Sequence, residues 1–295
     1  MTIFDNVYSE AKPRRSLLFV PGSRLEMLPK AFATATDIVC IDLEDAVTQK
    51  QKLSVRKRVI SVIQKQLSDK THADKEIWIR INTIRSIDGL EDIIAIARAD
   101  TAPDGIMIPK INAPEEIKIL RDTLSIKHKD LEFHPLIETT LGLKFAFDIA
   151  KSSHKIGSLV FGGFDMSANL NVDPSWDALL FARHTLVLAA ANAKIDLLDM
   201  PHFGLTDLIG LEEESRKALK IGFSGKCSIH PKQIDIINKV FSPSSEQVSD
   251  AKDLIEKYEA QNEAFVAING VMMEKPVVER LNHIIAIDKK INHKN

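Results

Sequence analysis

Several short apolar runs of the sequence end in charged side chains, which are the residues best suited to chemistry. In chain order these side chains are Glu44 and Asp45, Arg80, Lys110, Glu138 and Asp165. Burying a carboxylate is costly unless it is paired, hydrogen-bonded or bound to a cation. Acids that converge beside an arginine therefore indicate a hard metal ion together with an anionic ligand.

Glu138 and Asp165 are the best candidates for metal ligands, because they follow neighbouring apolar runs. Adjacent strands lie about 4.8 Å apart, so carboxylates from two neighbouring strands can bind one cation. Magnesium commonly takes one or two carboxylates and keeps several waters. Zinc would need a clustered His/Cys set, which is not found near these runs. The alternative is that Glu138 caps the following helix and Asp165 forms a loop turn.

The elements that must position these residues alternate between short apolar runs and longer helical patterns. The predicted strands are 16–20, 38–43, 77–81, 105–109, 133–137, 158–161, 195–198 and 225–229. Several are apolar throughout, as parallel strands covered on both faces require. Helical spacing of apolar residues is seen over 88–98, 114–124 and 176–192.

Eight such units in one chain predict an α/β fold, a (β/α)₈ TIM barrel over residues 14–242. A doubly wound open sheet is the alternative, but Val20-Pro-Gly-Ser23 after the first run does not match G-x-G-x-x-G. Residues 243–295 are predicted to form a C-terminal helical extension, with a hairpin turn at Asn269-Gly270. A barrel does not need this extension, so we expect it to pack on a neighbouring subunit or on the barrel.

The composition excludes several classes of protein. The net charge is −2 over 295 residues, which argues against a nucleic-acid-binding protein. No run approaches the ~20 apolar residues of a membrane span, and the N-terminus has no basic segment followed by an apolar one. We therefore expect a cytoplasmic protein with no membrane partner. Cys40 and Cys227 lie inside apolar runs and are interpreted as buried free thiols.

A series of short motifs resembles the citrate lyase beta subunit-like (HpcH/HpaI-type) aldolase family, and within it the stand-alone citramalyl-CoA and malyl-CoA lyases. The motifs are Arg15-Ser-Leu-Leu-Phe-Val-Pro-Gly22, Asp42-Leu-Glu-Asp-Ala46, Arg80-Ile-Asn82, Ile108-Pro-Lys110, Ile137-Glu138, Leu180-Phe-Ala-Arg183, Gly222-Phe-Ser-Gly-Lys226, Ile229-His-Pro231 and Pro276-Val-Val-Glu-Arg280. The resemblance implies a (β/α)₈ barrel, Mg²⁺, a homotrimer, and Claisen or retro-Claisen chemistry on acyl thioesters.

The resemblance also implies roles for individual residues. Glu138 and Asp165 would be the magnesium ligands, and Arg80 would hold the substrate carboxylate. The remaining candidates are Glu44 and Asp45 for orienting metal-bound waters, Arg15, Arg24 and Lys110 for binding substrate or coenzyme A, and Glu274 as a proton shuttle from a partner subunit.

Two positions depart from the family pattern. Phe164 stands where many members have an acid before the metal ligand, and Glu274 stands where many have aspartate. Three functions therefore stay open: a lyase that cleaves a 3-hydroxyacyl-CoA such as citramalyl-CoA or malyl-CoA; the beta subunit of a citrate lyase that uses an acyl carrier protein; and a related thioesterase, malate synthase or non-catalytic barrel. Lys52, Arg56 and Arg58 are interpreted as a solvated helix face, with a coenzyme phosphate contact as the alternative.

Overall fold

Eight parallel strands close into a barrel, so the predicted (β/α)₈ fold is confirmed. The computed structural model describes residues 13–69, 74–261 and 263–292. The strands are β1 (Ser16–Pro21), β2 (Ile38–Asp42), β3 (Glu76–Arg80), β4 (Gly105–Ile108), β5 (Glu132–Ile137), β6 (Ser158–Phe161), β7 (Asp196–Asp199) and β8 (Gly225–Ser228). Pairing of Leu17 with Cys227 between β1 and β8 completes the closure.

Helices return the chain from the end of each strand to the start of the next. They are α1 (Leu28–Phe32), α2 (Lys52–Asp69), α3 (Ile87–Arg98), α4 (Pro114–Leu124), α5 (Thr140–Lys144), α6 (Ala146–Lys151), α7 (Gly163–Leu170), α8 (Leu180–Ala193), α9 (Leu208–Ile221) and α10 (Ile234–Val240), with 3-10 turns at Gly22–Met27, Gln49–Gln51 and Pro231–Gln233. Local signals begin several of them: Ser86 accepts a hydrogen bond from the Gly89 N–H, and Pro114 occupies the first turn of α4.

The interior of the barrel is filled by one apolar side-chain cluster. Its buried members are Leu17, Ile38, Cys40, Trp78, Met107, Leu136, Val160, Leu198 and Cys227. Both cysteines are free and buried, as predicted. Because the interior is packed, a ligand can be held only at the ends of the strands.

The end of the barrel where the strands begin is held by buried ion pairs. Arg14 Nε lies 2.9 Å from Glu76 Oε1, and the same guanidinium contacts Glu132. Arg15, which precedes β1, donates from Nη2 to Asp37 at 2.9 Å. The expected contribution of Arg15 to the site is therefore corrected: a residue before a parallel strand lies at the opposite end of the barrel from residues that follow the strands.

The contacts divide the chain into a barrel unit, Arg14–Lys239, and a second unit that includes the described residues from Val240 to Asn292. The second unit contains α11 (Ser245–Gln261), β9 (Val266–Ile268), β10 (Val271–Met273) and α12 (Lys275–Asn292). The predicted hairpin turn forms at Asn269 and Gly270, both with positive φ. Ala251, Ile268, Met273 and Leu281 are its buried core. Among the described residues no helix is long and apolar enough to cross a membrane.

Candidate functional site

Arg80 and Asp42 end the paired strands β3 and β2 and form the base of the site. Arg80 Nε donates to Asp42 Oδ1 at 2.8 Å and Nη2 donates to Oδ2 at 2.6 Å. Burial opposes ionisation of Asp42, but the charge and hydrogen bonds of Arg80 outweigh it and lower the pKa of that carboxyl. Asp42 thus occupies one edge of the guanidinium and leaves Nη1 for another anion. The position of Asp42 in its motif was noted from the sequence, but this role was missed.

Glu44 and Asp45 follow β2 and lie on the remaining side of Arg80. Nη1 of Arg80 is 3.3 Å from Glu44 Oε2 and 3.4 Å from Asp45 Oδ2. Glu44 is buried, and its Oε2 receives no hydrogen bond from any described residue. Burial raises the pKa of Glu44, and the negative charge of Asp45 raises it further. The positive charges of Arg80 and Lys110 lower the pKa but do not cancel this rise. This buried oxygen therefore has the capacity to accept a further hydrogen bond.

Lys110 follows β4 and lies among three carboxylates. Its ammonium is 2.7 Å from Glu44 Oε1, 3.6 Å from Asp165 Oδ1 and 3.9 Å from Glu138 Oε1. Its backbone has φ = 54°, the left-handed region that few residues with a side chain adopt. This conformation accompanies a hydrogen bond of 2.8 Å from the Lys110 N–H to Glu138 Oε1.

Glu138 follows β5 and is the most perturbed acid of the group. Burial, and then the negative charges of Glu44 and Asp165, raise its pKa to about 8. Gly162 allows this packing, because a Cβ added there would lie 2.5 Å from Glu138 Cβ. Asp165 lies in the first turn of α7, directly after β6, with a half-exposed side chain. The sequence-predicted pair is therefore brought to one end of the barrel, with the Lys110 ammonium within 4 Å of both carboxylates.

The donors of this group fit a hard divalent cation. Glu44, Glu138 and Asp165 present only carboxylate oxygens, the ligand type that Mg²⁺ prefers. Burial, and after it the negative charges of Glu44 and Asp165, raises the pKa of Glu138, and the buried Glu44 Oε2 receives no hydrogen bond from the described residues. A cation bound by Glu138 and Asp165 would relieve the repulsion among these carboxylates.

A second set of potential metal donors lies at the other end of the barrel. Oxygen and nitrogen atoms of Glu76, Glu132 and His134 lie within 4.8 Å of one another. Arg14 already pairs with both of these glutamates, so a guanidinium neutralises them. The charge balance therefore favours the Glu138 group as the metal site.

A cavity of about 510 Å³ at this end of the barrel is lined by both apolar and charged side chains. Volumes of this size are typical of small-molecule sites. Its apolar lining, called the apolar wall below, includes Phe161, Phe164, Met200, Pro201, Phe203 and Ile229, and its charged lining residues are Asp42, Asp45, Arg80, Glu138 and Asp165. Phe203 was not identified from the sequence, because nothing local marks the residue as part of a cavity.

Lys52 supports the loop that carries Glu44, a role missed in the sequence. Its ammonium donates to the carbonyls of Leu43 and Glu44 at 2.7 and 2.6 Å, and to Asn82 Oδ1 at 2.6 Å. The interpretation of Lys52 and Arg56 as a solvated helix face is wrong. Arg56 is buried and pairs with Asp88, Glu91 and Asp92, and only Arg58 of the three is exposed.

The other sequence candidates lie outside this group of contacts. Arg24 is exposed in the 3-10 turn after β1. Glu274 belongs to the second unit, where it is exposed and its carbonyl accepts the N–H groups of Val277 and Val278 at the start of α12. Arg15 lies at the opposite end of the barrel, as described above.

Comparison with known proteins identifies a family and several relatives. The profile of the HpcH/HpaI aldolase/citrate lyase family matches residues 15–231. The chain is 29% identical to the mitochondrial citramalyl-CoA lyase of Homo sapiens, over 96% of this chain and 87% of that protein. It is 31% identical to the citrate lyase subunit beta of Haemophilus influenzae, over 93% and 96% of the two chains.

A solved structure with a similar fold is CitE of Mycobacterium tuberculosis in complex with magnesium, acetoacetate and coenzyme A. It superposes with a TM-score of 0.78 at 27% identity, covering 96% of this chain and 99% of that one.

Proposed function

Since the chain belongs to the HpcH/HpaI aldolase/citrate lyase family, we propose that it is a magnesium-dependent carbon–carbon lyase of 3-hydroxyacyl-CoA thioesters such as citramalyl-CoA or malyl-CoA. The products are acetyl-CoA and a 2-keto acid. The observation that carries the proposal is the convergence of Glu138, Asp165 and Arg80 on one cavity at the carboxyl ends of the strands. The magnesium in the crystallised relative supports the choice of ion.

The reaction breaks the bond between C2 and C3 of the thioester. The C3 hydroxyl loses its proton and becomes the ketone of the keto acid, while C2 takes up a proton and becomes the methyl group of acetyl-CoA. No oxidant or reductant is needed. A magnesium ion held by Glu138 and Asp165 would polarise the hydroxyl and carboxylate oxygens of the substrate.

The chain's own side chains supply the remaining steps. Asp42 binds Nε and Nη2 of Arg80, so the substrate carboxylate would bind at Nη1, where it would compete with the weaker contacts of Glu44 and Asp45 at 3.3 and 3.4 Å. Glu44 and Asp45, beside that nitrogen, accept hydrogen bonds from waters and orient them. Glu274 of a partner subunit in a homotrimer is the proposed shuttle for the proton at C2. Light scattering of the pure protein gives the mass that tests the trimer.

The test is a cleavage assay of the full chain with citramalyl-CoA, malyl-CoA and citryl-CoA, with and without magnesium. Keto acid and acetyl-CoA without free thiol support a lyase, whereas free coenzyme A thiol indicates a thioesterase. Glu138→Gln and Asp165→Asn should abolish both cleavage and magnesium binding by calorimetry. Glu213→Gln, an exposed acid on α9, is the matched control. Full activity of the wild type in EDTA would refute the proposal.

A second candidate is the beta subunit of a citrate lyase that acts on a citryl thioester of an acyl carrier protein. The identity of 31% to the subunit from Haemophilus influenzae, against 29% to the citramalyl-CoA lyase, favours it. Cleavage of citryl thioesters on a carrier protein, with no turnover of the free coenzyme A thioesters, would support this candidate over the first.

A further inference from the structure

The apolar wall of the cavity includes two phenylalanines that touch each other, one from a helix and one from a loop. Phe164 lies in the first turn of α7 and Phe203 lies in the loop after β7. Their ring centroids are 4.0 Å apart with an interplanar angle of 56°. The rings remain 41% and 50% exposed, so the pair has apolar surface available to a ligand in the cavity.

Buried polar contacts anchor the start of the loop that carries Phe203. Asp199, the last residue of β7, accepts from Arg183 Nε at 3.1 Å and from Lys226 Nζ at 2.9 Å, and all three side chains are buried. The loop that begins there contains Phe203.

The same loop has two further anchors beside Phe203. His202 Nδ1 lies 2.8 Å from Glu214 Oε2 on α9. The fully buried Gln233 donates from Nε2 to the His202 carbonyl at 2.8 Å. The backbone next to Phe203 is therefore tied to α9 and to the 3-10 turn after β8.

Charge is distributed unevenly around the cavity. Among the described lining residues, Arg80 is the single cation, while Asp42, Asp45, Glu138 and Asp165 are acids. The nearby Lys110 ammonium is paired with Glu44. One substrate carboxylate can pair with Arg80. A second carboxylate beside Phe164 and Phe203 would lie against two apolar rings and near Asp165, and the described lining offers it no second cation.

The C3 carbon of the proposed substrates carries a hydroxyl, a carboxylate, the thioester arm and one variable substituent. If the hydroxyl and carboxylate bind to the charged lining residues and the thioester arm leaves through the mouth, the variable substituent is left to contact the apolar lining, which includes Phe164 and Phe203. We propose that this pair is a specificity determinant that selects an alkyl group at C3, methyl or ethyl, over hydrogen and over a carboxymethyl group. This inference rests on the proposed lyase function.

The test compares kcat/KM for thioesters that differ only at C3: malyl-CoA, citramalyl-CoA, its 3-ethyl homologue and citryl-CoA. Wild type should prefer citramalyl-CoA over malyl-CoA by roughly tenfold or more, the range for one methyl in an apolar pocket. Citryl-CoA should be the poorest of the four. Phe164→Ala with Phe203→Ala should bring the ratio of citramalyl-CoA to malyl-CoA towards one.

Two further variants keep the test decisive. Phe164→Leu retains an apolar side chain and should preserve the preference, even if the alanine variants fold poorly. Phe181→Ala, which removes a 79% exposed ring outside the cavity, should leave all four values unchanged. A wild type that cleaves none of the thioesters would refute the lyase function itself. Equal kcat/KM for malyl-CoA and citramalyl-CoA would refute the role of the phenylalanine pair but not the lyase function. The same holds if the double alanine variant leaves the ratio of the two kcat/KM values unchanged.

Discussion

Lys110 contacts the same oxygen of Glu138 in two ways. Its backbone N–H donates to Oε1 at 2.8 Å, and its ammonium lies 3.9 Å from that oxygen. These contacts favour the ionised carboxylate, yet burial and two neighbouring acids still raise the pKa of Glu138 to about 8. The two Lys110 contacts therefore do not offset the combined effect of burial and of the neighbouring acids on the pKa of Glu138.

The raised pKa predicts how stability depends on pH. Below the unfolded pKa of about 4.3 both states hold the proton, so Glu138 contributes no difference. Between that value and about 8 the folded state keeps a proton that the unfolded state releases, so the contribution of Glu138 to stability falls as pH rises and is lowest above 8. In EDTA, Glu138→Gln should therefore be more stable than wild type at pH 8.5, by on the order of a few kcal/mol.

The measurement is urea unfolding at pH 5 and pH 8.5. The advantage of Glu138→Gln should grow with pH, and the control Glu213→Gln should follow wild type. Magnesium should bind wild type more tightly as pH rises towards 8, because binding displaces the Glu138 proton. A constant difference between variant and wild type across this range would contradict the assignment.

Arg80→Lys should lower kcat/KM by about 10- to 100-fold, since a hydrogen bond to a charged group is worth about 1.5–3 kcal/mol. Lysine carries the charge but cannot bind Asp42 through two nitrogens and still offer a third to the substrate. Steady-state kinetics and magnesium calorimetry measure the effect. Magnesium affinity should change little, and an equal loss of magnesium binding and turnover would argue against the substrate role.

Lys52→Met should lower kcat and cost about 1–3 kcal/mol of stability, because two buried carbonyls and the Asn82 side chain lose their donor. The loop that carries Glu44 would then lose its anchor. Lys57→Met, an exposed residue of the same helix, is the control and should match wild type in both measurements. If Lys52→Met kept the kcat of the wild type, Lys52 would not be needed to position the loop that carries Glu44.

Arg15→Met should destabilise the barrel without changing turnover of folded protein, since Arg15 pairs with Asp37 at the end opposite the site. Loss of one partner of a buried pair costs about 3–5 kcal/mol. Adding Asp37→Asn, which keeps an acceptor for the Arg15 N–H, should recover part of this stability. Denaturant unfolding and steady-state kinetics at a permissive temperature test both predictions. A raised KM for Arg15→Met would show that Arg15 contributes to substrate binding after all.

The architecture and the charged group could be predicted from local patterns. Apolar runs of strand length, separated by helical spacing, indicated a parallel barrel, and residues that directly follow such strands all reach one end of it. That rule brings Glu44, Arg80, Lys110, Glu138 and Asp165 together without knowledge of any long-range contact. Applied to Arg15, which precedes its strand, the same rule indicates the opposite end, where the structure has it.

Only the tertiary structure decides which residues distant in the chain become partners. Phe164 of α7 contacts Phe203 of the loop after β7. Lys52 donates to Asn82 from a helix whose other lysines face solvent. A periodic pattern reports whether a position is inside or outside, because it follows the geometry of one element. It cannot report which side chain of another element is met there, since that depends on how the elements close around the barrel.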